Sequence, residues 1–130
     1  MAETFPDAAL DELIEAVSAR DIGRTLGGLS LANDPAIVGS EEGESALGWD
    51  AAEAFFTRIY QRSLGFRFEF PRRRWSLHGD VAWLVADGTV IDPGATGPKP
   101  YRLTAVFVRE GTTWQLSLWS GAEPVPAHPM

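Results

Sequence analysis

The apolar residues of this 130-residue chain change period near residue 64, and that change limits what it can fold into more than any other feature. Before it, apolar side chains recur at helical spacing. Leu10, Leu13, Ile14 and Val17 fall at i, i+3, i+4 and i+7, one stripe of a 3.6-residue period. After it, Phe66-Arg67-Phe68-Glu69-Phe70 alternates strictly, as a half-buried strand does. Helices first, then strands joined by short turns, is the order of an α+β domain.

The spacing predicts a first helix over 7–20, with Pro6 before it, acids in its opening turns and Arg20 at its close, which suits the helix dipole. A short second helix is predicted over 21–29, capped by Asp21 and weakened by Gly27-Gly28. Asn33-Asp34-Pro35 reads as a turn, Ala36-Ile37-Val38 as a short strand, and 39–48 as a polar, acidic loop. A third helix is predicted over 50–62, where Asp50 and Glu53 form a capping-box-like pair. Pro71 interrupts the first long strand. Trp75 and Leu77 continue it on the opposite parity, which predicts a bulge near Pro71-Arg72. His78-Gly79-Asp80-Val81 is a two-residue hairpin turn. Further strands are predicted over 81–91, 101–109 and 113–120. The expected architecture is α+β, a single domain over 1–122 with a proline-rich extended tail over 123–130. Three N-terminal helices pack in the concave face of a curved, mostly antiparallel sheet.

Charge and composition exclude several classes. The net charge is −7, with eleven acids against two bases in residues 1–50 and seven against nine in the rest. A nucleic-acid binder carries a basic surplus or stripe. Arg72-Arg73-Arg74 is too short to be one, so no nucleic-acid partner is expected. No run of 18 apolar residues is present, so no membrane span is expected. Residues 1–7 lack the basic and apolar regions of a secretory leader. The chain has no cysteine, which removes disulfides, thiolate metal sites and thiol nucleophiles. The expected compartment is the cytoplasm. No metal or other cofactor is expected. His78 and His128 are far apart, and Ser40-Glu41-Glu42 lacks the spacing of a calcium loop. The sequence also holds no glycine-rich phosphate loop, no G-x-S-x-G elbow and no H-E-x-x-H.

The order of elements and three local segments carry a resemblance. Leu77-His78-Gly79-Asp80-Val81-Ala82-Trp83 is similar to the "hGDvAw" segment of SnoaL-like domains. Tyr101 to Arg109, followed by Gly111 and Trp114, is similar to their "R-x-T-x-v-x-r-r-x-G-x-W" end. Gly48-Trp49-Asp50-Ala51-Ala52-Glu53-Ala54-Phe55-Phe56 resembles the start of their third helix. Over residues 7–122 the chain therefore resembles the SnoaL-like branch of the cone-shaped nuclear transport factor 2-like superfamily, also called cystatin-like. The superfold hosts isomerases, cyclases, dehydratases and binding modules, so it implies no single chemistry. The positions that carry isomerase chemistry in such relatives fall near Ser40, Leu13 and Thr104, none with the required side chain. Cyclase-like members use an acid late in the fold, where this chain reads Leu118-Trp119-Ser120-Gly121-Ala122-Glu123 and lacks the histidine many relatives carry near Ser120.

Pairing residues 108 and 113 across the last hairpin sorts its side chains into two sets. One holds Arg102, Thr104, Val106, Gln115, Ser117 and Trp119; the other holds Tyr101, Leu103, Ala105, Phe107, Trp114, Leu116 and Leu118. The resemblance implies that the first set lines a concave pocket and that the second meets another copy in a sheet-to-sheet homodimer. The other arrangement has the apolar set as the core of one chain and the polar set in water. On the first, Arg102, Thr104 and Ser117 form a polar patch in the pocket. There the guanidinium either grips a carboxylate or enolate or closes an internal ion pair with Asp34 or an acid of the 41–44 loop. Trp49, Phe56, Tyr60, Phe68 and Trp119 either line the pocket for a flat ligand or are plain core. Glu41, Glu42 and Glu44 are expected to be exposed loop residues. The expected function is a pocket for a small apolar or carboxylate ligand in a homodimer. The alternatives are an isomerase, cyclase or dehydratase using Arg102 as electrophilic clamp and Asp34 or Glu41 as base, and a dimerisation module whose cavity is filled by its own side chains.

Overall fold

A computed structural model describes residues 5–31, 34–39, 43–62, 66–92 and 97–124. Three helices, α1 (Asp7–Ser18), α2 (Ile22–Gly27) and α3 (Trp49–Arg62), accompany six strands: β1 (Ala36–Val38), β2 (Ser45–Leu47), β3 (Arg67–His78), β4 (Val81–Ile91), β5 (Lys99–Glu110) and β6 (Thr113–Ala122). The strands form one curved, open sheet in the order β2-β1-β6-β5-β4-β3. The contact between β1 and β6 is parallel; every other neighbouring pair is antiparallel.

The four long strands are an antiparallel meander, and its turns follow local chemistry. Gly79 and Gly111 take φ of 61° and 68°, each as the first central residue of a two-residue hairpin. Glycine adopts this left-handed backbone without a Cβ clash. The predicted bulge lies between Glu69 and Arg72. Across it Gly88 packs so closely against the Glu69 carbonyl carbon that a Cβ would stand 2.8 Å away. The bulge bends the sheet, and the helices fill the bend. The expected 39–48 loop differs in its described part: Ser45–Leu47 form β2, which pairs antiparallel with β1.

The helices are tied to the sheet by named contacts. Arg24 takes the N-cap bond of Asp21 and reaches both carboxylate oxygens of Glu12 at 2.8 Å, joining α2 to α1. Asp7 accepts from Arg73 and from the Trp75 indole, each at 2.9 Å, while Arg73 also donates to Asp11 at 2.8 Å. The middle arginine of the basic triplet thus clamps α1 to β3. The buried Thr25 hydroxyl lies 2.8 Å from the Tyr60 hydroxyl, joining α2 to α3. Leu10, Leu13 and Val17 from α1 and Phe55, Phe56 and Tyr60 from α3 are buried with Phe70, Leu84, Leu103, Phe107 and Leu116 of the sheet in one core.

That core settles which side of the sheet is which. Tyr101, Leu103, Ala105, Phe107, Trp114 and Leu116 are all buried under the helices, and Arg102 and Thr104 are exposed on the opposite side. The arrangement with the apolar set inside one chain is the correct one. Pairing begins at Glu110 and Thr113 rather than at 108 and 113, a shift of two in the sum of partner numbers that leaves the parity unchanged. A second bulge changes it. Val106 pairs with Leu118 while Phe107 pairs with Leu116, so Ser117 is the extra residue. Beyond it Leu118 turns outward and Trp119 turns into the core.

Candidate functional site

The bend of the sheet leaves a cavity between its inner face and the helices. Its volume is about 80 Å³, against the ~10–15 Å³ that one water needs. Leu13 and Val17 of α1, Phe55, Phe56 and Ile59 of α3 and Ile37 of β1 close one side. Phe66, Phe68, Val90, Tyr101, Leu116 and Trp119 close the sheet side. Gly39, Glu44, Asp92 and Glu123 complete the lining. These four flank strand ends: Gly39 follows β1, Glu44 precedes β2, Asp92 follows β4 and Glu123 follows β6. The three acids are half-buried and form a rim.

Phe68 is the centre of the aromatic wall. Its ring centroid lies 5.0 Å from Tyr101 and 5.1 Å from Trp119, and it stacks on Phe70 at 5.9 Å. Such offset and edge contacts hold aromatic side chains in fixed positions. The Trp119 indole donates to the Tyr101 hydroxyl at 3.1 Å. Tyr101 lies over Gly121, where a Cβ would overlap the phenol. Burial pushes the Tyr101 hydroxyl up to about 12; the Trp119 bond opposes this, and the negative charges of Glu44, Glu123 and Asp92 add to it. Tyr101 is therefore a neutral phenol throughout the physiological range.

The rim is built as firmly as the wall. The Gly39 amide donates to the Glu44 carbonyl at 2.6 Å, and Glu44 folds so closely over Gly39 that a Cβ there would meet its own at 2.7 Å. Lys99 donates to Asp92 at 2.9 Å and stands 3.9 Å from Glu123. Chemically, the lining offers carboxylates, one phenol and aromatic faces. It contains no imidazole, guanidinium or ammonium among the described residues, and those residues hold no cluster of three metal-ligating side chains.

The residues singled out from sequence are dispersed. Phe56, Phe68 and Trp119 line the cavity. Trp119 gets there through the Ser117 bulge, because simple alternation would have set it beside Arg102. Tyr60 is buried but faces Thr25, and Trp49 is half-buried against the core at the start of α3; neither lines the cavity. Asp34 is exposed before Pro35. Arg102 sits on the outer face and pairs with Asp87 at 3.1 Å, the side chains of both being 54% exposed. The expected grip of Arg102 on a carboxylate in the cavity is thereby corrected, as is its internal pair with Asp34 or the 41–44 acids. Thr104 is also on the outer face, and Ser117 is spent on the bulge. Glu44 is half-buried on the rim rather than exposed, while Ser40, Glu41 and Glu42 lie outside the described residues. Asp92 escaped the sequence reading and Glu44 and Glu123 were not placed on a cavity, because each lies outside the long strands, where alternation carries no signal.

Comparison with known proteins agrees with this geometry. No curated protein matches the chain in sequence. Among solved structures, a candidate dehydratase of the NTF2-like family from Streptomyces avermitilis superposes with a TM-score of 0.81 at 16% identity, covering 92% of this chain and 93% of that one. A candidate calcium/calmodulin-dependent protein kinase type II association domain from Thiobacillus denitrificans superposes with a TM-score of 0.80 at 19% identity, over 96% and 99% of the two chains. A protein of unknown function with a cystatin-like fold from Nostoc punctiforme gives 0.73 at 16% identity, over 94% of each chain. At such identities the likeness shows the fold alone. The family model for the SnoaL-like domain matches residues 7–126, a span that contains the helices, the bent meander and every residue of the cavity, and the chain belongs to that family.

Proposed function

We propose that this protein binds a small, flat, largely apolar molecule in the cavity beneath its sheet, and that two copies associate through the outer face of that sheet. The observation that carries the first part is the empty volume behind a fixed aromatic wall. Protein interiors are close-packed and rarely keep space larger than a water molecule, and a mostly apolar recess with a few polar groups at one end is the usual form of a small-molecule site. A screen of single-ring compounds by ligand-observed NMR tests it. Binding should be lost in Val90→Phe, which fills the space from β4, while thermal stability is kept. A screen without binders, or binding indifferent to Val90→Phe, overturns the reading.

An acid–base enzyme is the second reading, and Glu123 is what favours it. Cyclase-like relatives use an acid late in the fold, the corresponding stretch here ends on Glu123, and Glu123 stands on the rim.

The homodimer rests on a surface other than the one expected from sequence. Val81, Trp83 and Val85 are 40%, 38% and 37% exposed in alternate positions along β4. Across the ladder they adjoin Val108, Val106 and Thr104, and Val106 adjoins Leu118. Valine, leucine and tryptophan in the middle of an open face are out of place in water. Of the charges on this face, Asp87 and Arg102 are matched within the chain, and the exposed Arg72 and Arg74 stand beside Asp87 and Val85 along the β3 edge. A second copy of the same face supplies apolar cover for this row, with the β3 arginines at its margin, and such interfaces commonly bury ~1,200–2,000 Å² in total.

A further inference from the structure

We infer that the molecule held in this cavity is an uncharged, largely apolar compound bearing a carbonyl oxygen, which takes a hydrogen bond from the Tyr101 hydroxyl. The inference rests on the binding reading above and adds the chemical class of the ligand. Its ground is a difference between the two tyrosines of the chain. Tyr60 is satisfied internally. Its hydroxyl lies 2.8 Å from the Thr25 hydroxyl. Thr25 gives its own hydrogen to the Asp21 carbonyl at 2.9 Å, so the Thr25 oxygen is left to accept from Tyr60. Tyr101 is only 6% exposed, and its hydroxyl has one hydrogen bond among the described residues, from the Trp119 indole at 3.1 Å. An indole N–H can only donate. The Tyr101 oxygen is therefore the acceptor in that bond, and no described residue accepts the hydrogen that the phenol carries.

Two sides of the Tyr101 oxygen are occupied. The indole takes one, and Gly121 lies so close on another that a Cβ there would overlap the phenol. The open side is the cavity, which Tyr101 lines. Burial pushes the hydroxyl up to about 12, so its hydrogen is present throughout the physiological pH range. A buried O–H without an acceptor is costly, and a ligand that covers it without replacing the bond forfeits affinity. The rest of the wall selects the kind of acceptor. Phe66 and Phe68 offer ring faces, and the Trp119 N–H is already used. A ligand hydroxyl would bring a second hydrogen to a wall with no acceptor for it, whereas a carbonyl oxygen accepts and brings none. A carboxylate would carry a full charge into a lining without a basic side chain among the described residues.

Two probes of one shape decide it: acetophenone and α-methylstyrene, in which a methylene group replaces the carbonyl oxygen. Their affinities for the wild-type chain and for Tyr101→Phe are measured by ligand-observed NMR. Tyr101→Phe keeps the ring and removes the donor. It should weaken acetophenone about three- to tenfold, the worth of one hydrogen bond, and leave α-methylstyrene unchanged, which also shows that the cavity is intact. An equal change in both probes, or no change in either, overturns the inference and leaves the cavity reading standing. So does wild-type binding of α-methylstyrene alone. Failure of both probes to bind the wild-type chain overturns the cavity reading and this inference with it. If Tyr101→Phe does not fold, acetophenone labelled with carbon-13 at its carbonyl decides the matter on the wild-type chain. Its bound resonance should lie downfield of its position in a hydrocarbon solvent, as that of a hydrogen-bonded carbonyl does, and a resonance at the hydrocarbon position overturns the inference.

Discussion

The two faces of β4, β5 and β6 belong to the same strands, yet they differ in almost every physical respect. The inner face presents Leu84, Leu103, Ala105, Phe107 and Leu116, none more than 1% exposed, and ends in the aromatic wall of the cavity. The outer face presents Val81, Trp83 and Val85 half in water, beside an ion pair whose members are each 54% exposed. Alternation separates the two sets but does not say which set is inside. That is decided by a third party, the stripe of Leu10, Leu13 and Val17, which can be buried only against the more apolar set.

The largest test of this contrast is a pair of truncations on opposite faces. Leu103→Ala removes a fully buried side chain from beneath the helices and should cost about 2–5 kcal/mol. Val85→Ala, one step across the ladder from Thr104 on the outer face, should cost the isolated chain only a few tenths of a kcal/mol. Urea unfolding of both variants measures the difference. Equal losses would mean that the outer face is as enclosed as the inner one.

The same contrast explains what could be read from the residues. The helical stripe of α1, the capping of α2 by Asp21, the Gly79 hairpin and the bulge after Glu69 each depend on a few neighbouring residues, and each appears where local chemistry puts it. The side of the sheet does not. Placing Arg102 in a pocket followed the family's layout, whereas the hydrophobic effect alone puts Tyr101, Leu103 and Phe107 inside. The Ser117 bulge has no proline or glycine to announce it, so Leu118 and Trp119 exchange faces without a sequence signal. Of the cavity, Phe56, Phe68 and Trp119 were legible as aromatic residues at useful places. Asp92 and Glu123 meet through the meander, and Glu44 joins them only because the sheet order sets β1 beside β6, a pairing between segments some eighty residues apart in the chain.

A smaller effect, on association rather than folding, sharpens the comparison from the outside. Trp83→Arg places a charge in the middle of the outer face without touching the core. The far-ultraviolet spectrum and the unfolding midpoint of the dissociated chain should be those of the wild type, and the dimer should weaken by at least about tenfold, as loss of a central aromatic anchor does. Light scattering over a dilution series reads this directly. A wild-type chain that is monomeric at every concentration would remove the dimer.

Smaller again is the contribution of the clamp that sets α1 on β3. Burial tends to raise the Asp7 carboxyl, but the hydrogen bonds from Arg73 and Trp75 and the Arg73 charge outweigh it, so its folded value lies below the ordinary 3.8. A depressed carboxyl contributes stability that is complete above the unfolded value and is lost as pH falls through the folded one. Asp7 is partly exposed, and solvent screening limits the effect to about 0.5–1 kcal/mol. The stability difference between wild type and Asp7→Asn should therefore be flat from neutral pH down to about 5 and shrink below 4. A difference that grows on acidification would contradict the assigned bonds.

The smallest expected effect is the one that separates the two faces most cleanly. Arg102 stands opposite Asp87 across β4 and β5, both half in water, and an exposed pair of this kind is worth about 0–1 kcal/mol. Arg102→Met keeps the stem of the side chain and removes the charge, so unfolding should shift by a few tenths of a kcal/mol at most. Its side chain has the sheet between it and Phe68, Tyr101 and Trp119, so binding of a single-ring probe in the cavity should not change. Any response should appear in the dimer, because Arg102 borders the apolar row of the outer face. A variant that lost the probe while keeping its fold would put the guanidinium on the cavity side and reverse the assignment of the faces. A variant that unfolded would make Arg102 the buried half of an internal pair. The exposure of both Arg102 and Asp87 argues against each outcome for the same reason: a charge that water already solvates can be removed with little consequence on either side of the sheet.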